Sequence, residues 1–137
     1  MGHMANSKTK DIKQSVRIAA TPRAVYEALM DSKKHTKFTG EKAVISRKVG
    51  GSFKAYGGYA TGKNIELVTD KKIVQSWRTS QWPAGYHSVT TFLLSPTKGG
   101  TKLMFIHKGV PVEDANDIAD GWKEYYWEPL KLMLEEK

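Results

Sequence analysis

The stretch GWKEYYWEPL, Gly121–Leu130, places four aromatic rings within six residues and follows them with a proline. Counted at about 100° per residue from Trp122, the apolar positions Ile118, Tyr125, Tyr126, Leu130, Leu132 and Met133 fall within about 80° of it. Asp117, Asp120, Glu124, Glu128 and Glu135 take the opposite side. The spacing predicts an amphipathic helix whose apolar stripe, about 160° wide, exceeds the roughly 100° that a flat partner requires, so a curved sheet should grip it. Each buried ring removes about 150–250 Å² from water, which makes this element a core anchor. Trp127, at about 140°, and Leu134, at about 120°, lie off the stripe and predict an outward patch for a partner or a second copy. Pro129 has no N–H for the Tyr125 carbonyl, so the helix should kink or loosen there and leave that acceptor free.

Upstream of this helix the chain reads as strands with one helical interruption. IKQSVRIAA alternates Ile12, Val16 and Ile18 with Lys13 and Arg17, the period of a half-buried strand. Thr21 is an N-cap and Pro22 a first helical residue, which predicts a helix over TPRAVYEALMD, followed by a short second one around SKKHTKF. From 41 to 110, short β-rich segments separated by GG, TDKK, WPAG and TKGG predict antiparallel strands near 42–49, 52–57, 60–68, 72–80, 87–95 and 101–108. The fold class is therefore α+β. Residues 1–10 read as a tag remnant (MGHM) and polar leader, and 11–137 as a single domain.

At 137 residues the chain can bury one core without staples, and its lack of cysteine excludes disulfides and thiolate metal sites. No apolar run approaches the roughly 20 residues of a membrane span, so a cytoplasmic location is expected. The net charge of +8 is uneven: residues 1–110 hold 19 basic against 6 acidic side chains, whereas 111–137 hold 3 against 8. The lysines are scattered singly and the aromatics alternate inward, which argues against a nucleic-acid surface. GGYATGKN fits G-x-x-x-x-G-K at Gly57, Gly62 and Lys63, but Asn64 replaces the Mg²⁺-binding hydroxyl and a strand-like segment follows, so the glycines read as hairpin turns.

The segments VGGSF, TGKNIELVTDKKIVQSWR, WPAGYHSV, GTKLMFIHKGVP and GWKEYYWEPL, in this order, resemble the activator-of-Hsp90-ATPase-like family of the START and Bet v 1-like superfamily. The resemblance covers about residues 12–134 and implies a helix-grip fold: a strongly bent antiparallel sheet of six to seven strands around a long C-terminal helix, with two short helices after strand one. It implies two functions, a small-ligand binder or a domain that engages and stimulates an Hsp90-type ATPase.

Alternation supplies the candidate binding residues. Ile73, Gln75 and Trp77 share one face of their strand; His87, Val89, Thr91 and Leu93 share one face of the next; Leu103, Phe105 and His107 share one face of the last. If the PTKGG turn pairs Val89 with His107, both histidines lie on one inner face. With Phe53, and with Trp122, Tyr125, Tyr126 and Met133 opposite, they would line an apolar cavity or else fill a solid core. Trp82, in a Pro- and Gly-bounded loop, is a candidate lid or a loop anchor. His87, His107 and Glu66 offer acid–base groups, but there is no serine elbow, no HExxH and no third metal ligand. The sequence thus points to a small apolar molecule as partner, with an Hsp90-type chaperone as the alternative, in a monomer or homodimer without cofactor or metal.

Overall fold

The computed structural model describes residues 8–135; the sequence reading of residues 1–7 as part of a leader lies outside the described residues. Strand β1 (Thr9–Ile18) leads into α1 (Pro22–Met30) and α2 (Ser32–Thr39). Thr21 Oγ1 accepts the Ala24 N–H at 3.1 Å and Asp31 accepts that of Lys34 at 3.0 Å, so each helix starts on its own side-chain cap. Gly40, at φ +78°, ends α2 in the left-handed conformation that glycine adopts without strain. Strands β2 (Val44–Ile45), β3 (Ser52–Ala55), β4 (Ala60–Val68), β5 (Lys72–Thr79), β6 (Ser88–Thr97) and β7 (Gly100–Pro111) follow. They pair antiparallel in the order β1-β7-β6-β5-β4-β3-β2. This is the α+β helix-grip fold expected from the sequence.

The strand expected near 42–49 shrinks to two residues. Buried Asn64 holds the following loop, donating to the carbonyls of Ser46 at 2.7 Å and Lys48 at 3.0 Å while accepting from Gln75 Nε2 at 3.0 Å. These are satisfied buried polar groups on a loop that no longer needs a strand partner. Gly57 and Gly58 form a 3₁₀ turn, and Gly62 and Lys63 lie within β4, so the phosphate-loop pattern is a hairpin.

The β6–β7 turn sets a different register from the expected one. Thr97 pairs with Gly100 across Lys98–Gly99, which matches His107 with Thr90 and Val89 with Lys108. A slip of one residue exchanges the faces of a strand. Consequently Ser88, Thr90, Phe92 and Leu94 are buried, whereas His87 and Val89 are exposed on the outer face, and the two histidines do not share a face. The expected inward faces of β5 and β7 hold, with Ile73, Gln75, Trp77, Leu103, Phe105 and His107 buried.

The C-terminal helix runs as α3 (Ala115–Trp122), a wide π-turn (Lys123–Trp127) and α4 (Glu128–Glu135). In the π-turn the Glu128 N–H reaches the Lys123 carbonyl, five residues back. One extra residue in a turn turns the rest of the helix back by about 100°. Trp127 therefore points inward, 4% exposed, and donates to Gln14 Oε1 at 2.6 Å, while Tyr125 and Leu132 are 52% and 61% exposed. Leu134 packs against the core. The outward Trp127–Leu134 patch expected from an ideal helix does not exist. The Tyr125 carbonyl, left without a donor by Pro129, accepts the Tyr56 hydroxyl.

A polar relay fastens this helix to the sheet. Trp122 Nε1 donates to His107 Nδ1 at 3.1 Å; the neutral ring then carries its proton on Nε2 and gives it to Ser88 Oγ at 2.7 Å, and Ser88 donates to the Trp77 carbonyl at 2.9 Å. A second histidine, His35 on α2, lies with Nε2 3.1 Å from the Tyr126 hydroxyl. Burial holds His107 down to about 3 and His35 down to about 4.

Two outcomes are expected. A Cβ at Gly62 would sit 1.8 Å from the Ser76 carbonyl oxygen of β5, so Gly62→Ala should force β4 from β5 and lower stability by about 2 kcal/mol or more in urea unfolding. Both buried histidines are neutral in the fold but protonate near pH 6.5 when unfolded, so the unfolded state binds more protons below that pH. Their contribution is complete above pH 6.5 and lost as pH falls toward their folded values, by about 1.4 kcal/mol per pH unit for each histidine. Urea midpoints measured between pH 7 and 5 should show the decline, and a flat profile would contradict it.

Candidate functional site

The space beneath the helix is filled. Between Phe53, Ile73, Phe92, Trp122 and Tyr126 only about 20 Å³ remains, room for about one water molecule. The roomy space lies at one end of the helix, where a cleft of about 550 Å³ opens to the surface between the C-terminal helix, the end of α2 and the β3–β4 hairpin. Buried Trp77, Trp122 and Tyr126 form its base, and Tyr56, Tyr59 and the half-exposed Tyr125 its sides. Ala60, Ile118 and Gly121 complete the apolar wall, and Thr39, Glu41 and Asp117 bring polar groups to the rim.

Packing makes the base rigid. Trp122 stacks obliquely on Tyr126, with ring centres 4.5 Å apart, and lies 5.9 Å from Trp77. Trp122 is also held through His107, and Tyr126 through His35. Tyr56 ties the hairpin to the helix twice, by its bond to the Tyr125 carbonyl and by edge contacts with the Tyr125 and Tyr126 rings at 5.9 and 5.8 Å. Three phenols of the cleft, Tyr56, Tyr59 and Tyr126, stay neutral. Burial raises Tyr126 and Tyr56 well above the usual phenol range, with the neighbouring Tyr125 and then Glu41 adding to the effect at Tyr56. Burial also raises Tyr59, followed by the charges of Asp114 and Asp117.

Of the residues expected to line a cavity, Trp77, Trp122, Tyr125 and Tyr126 meet in this cleft. Phe53 borders only the small internal void, and Phe105 and His107 are wholly enclosed in the core. Met133 is half-buried against that core. His87 and Val89 face outward because of the β6 register. Trp82 is buried 5.5 Å from Trp77 and donates to Asp114 Oδ2 at 3.0 Å, which makes it an anchor of its loop and not a lid. The sequence reading missed Tyr56, Tyr59, Glu41 and Asp117. The one signal for the first two was a pair of tyrosines astride the Gly57–Gly58 turn. The acids looked like ordinary solvated positions.

Among the described residues no three His, Cys, Asp or Glu side chains converge as metal ligands, and no helix is long and apolar enough to cross a membrane.

Known proteins share this architecture. The chain is 33% identical over 99 residues to activator of 90 kDa heat shock protein ATPase homolog 2 of Mus musculus, an alignment covering 72% of this chain and 30% of that protein. It spans about a third of the length of the curated relatives it matches. An HSP90 activator from Plasmodium falciparum superposes with a TM-score of 0.84 at 22% identity, covering 91% of this chain and 96% of that one. The Aha1 dimer from Colwellia psychrerythraea gives a TM-score of 0.80 at 20% identity, covering 93% and 97%. The model of the activator of Hsp90 ATPase homolog 1-like proteins matches residues 19–135, nearly the whole of the described fold, and the chain belongs to that family.

Proposed function

We propose that this chain is a cytoplasmic binding module that takes a small, largely apolar molecule into the cleft between the C-terminal helix and the β3–β4 hairpin. The observation that carries this reading is the cleft itself. Its volume falls within the roughly 300–1,000 Å³ usual for small-molecule sites, and its rings are fixed in place while a few polar groups border the opening. A guest would not need to unpack the core, because the interior beneath the helix is separate and filled. Acid–base catalysis has little support: His107 is enclosed and engaged at both nitrogens, and His87 lies outside the cleft.

A second reading, a domain that engages an Hsp90-type ATPase, is favoured by relatives described as activators of that ATPase. It would use an exterior surface. Trp127, the aromatic that the sequence offered for such a surface, is buried against Gln14, so contact would fall to exposed lysines and the sheet exterior.

Amide chemical shifts decide between them. A panel of lipophiles is expected to shift residues around Tyr56, Tyr59 and Gly121, whereas silence with the panel and shifts on the sheet exterior with an Hsp90 middle domain would favour the second reading. Tyr125→Ala removes a half-exposed side wall and leaves the core untouched. It should weaken a bound lipophile about ten-fold, the loss of about 1.4 kcal/mol of burial, with only a small fall in melting temperature from the lost edge contact with Tyr56.

A further inference from the structure

The charge of the cleft is opposite to that of the molecule. The chain carries a net +8, with basic side chains far outnumbering acidic ones before residue 111. Yet the charged side chains lining the cleft are Glu41 and Asp117, and among the described residues no lysine or arginine lines it. Neither carboxylate is spent on an ion pair among the described residues, where the pairs are Arg47–Glu27, Lys72–Glu66 and Lys131–Glu135.

The walls supply the complementary surface. Tyr56, Tyr59, Trp77, Trp122 and Tyr125 line the same space, and the faces of such rings attract a cation within about 6 Å, most strongly where water is excluded. The two sides of the cleft contribute one carboxylate each, Glu41 from the loop after α2 and Asp117 from α3. Fatty acids and other anionic amphiphiles would bring like charge to this rim. Burial is the main cause of the raised Tyr59 and Tyr56, and Asp114 and Asp117 at Tyr59, and Tyr125 and Glu41 at Tyr56, add to it in that order.

We propose that the cleft selects organic cations, molecules with an ammonium or quaternary ammonium group on an apolar body, the charge lying against Glu41 and Asp117 and the body on the aromatic base. This inference rests on the small-molecule reading above and narrows its ligand class.

The test uses three probes of one shape, benzyltrimethylammonium, its neutral carbon isostere neopentylbenzene, and benzylsulfonate, each titrated against the full chain by amide chemical shifts. The cation is expected to bind about ten-fold or more tightly than the neutral probe, with the sulfonate weakest. Both carboxylates are on exposed residues, so the double variant E41Q/D117N should keep its melting temperature and its affinity for neopentylbenzene while losing the preference for the cation. Cation and neutral probe binding equally at the cleft would overturn the charge selection and leave the binding reading intact. No cleft shifts with any probe or with the lipophile panel would overturn both.

Discussion

The Tyr125 carbonyl loses its α-helical donor, because the residue four positions on is a proline. The protein brings the Tyr56 hydroxyl from the β3–β4 hairpin to fill the gap. That long-range bond closes one side of the cleft. The neighbouring π-turn brings Trp127 into the core beside Trp122 and Tyr126, and Tyr125 is left at the opening. A π-turn inside an α-helix is often found at functional sites, and here it borders the open cleft.

The helix is held at this phase by polar groups as well as by burial. The run from Trp122 through His107 and Ser88 to the Trp77 carbonyl joins helix, β7, β6 and β5, and every donor along it has an acceptor. Gln14 performs a similar task from β1, accepting from Trp127 Nε1 and donating to the Ala119 carbonyl at 3.0 Å. Such directional contacts specify one rotation of an aromatic-rich helix, where apolar packing alone would accept several.

The division between filled core and open cleft bears on how one fold serves different roles. Relatives in this family are described as Hsp90 ATPase activators, and the sheet of this chain has an outer face that bears exposed side chains such as His87 and Val89. The cleft lies on the other side, between the hairpin and the C-terminal helix, and has its own charge and shape. The two faces are physically separate, and function belongs to sites and not to architectures.

Periodicity and punctuation were enough to order the elements. Thr21 and Pro22 marked the first helix, alternation gave the inward faces of β5 and β7, and the apolar stripe around Trp122 identified the helix that the sheet grips. The missing donor at Pro129 was likewise legible, because it is a property of one residue. What alternation could not supply was phase. The inner face of β6 depended on whether two or three residues form the turn at Lys98–Gly99, and one step moved His87 and Val89 to the exterior. The direction of Trp127 depended on a π-turn that an ideal 3.6-residue helix does not contain. The cleft joins Tyr56 to Tyr125 across 69 positions and brings Glu41 and Asp117 to one lining. Local patterns encode which residues prefer burial, but the partner that receives each side chain is chosen by the packing of distant segments, and that choice exists only in the folded chain.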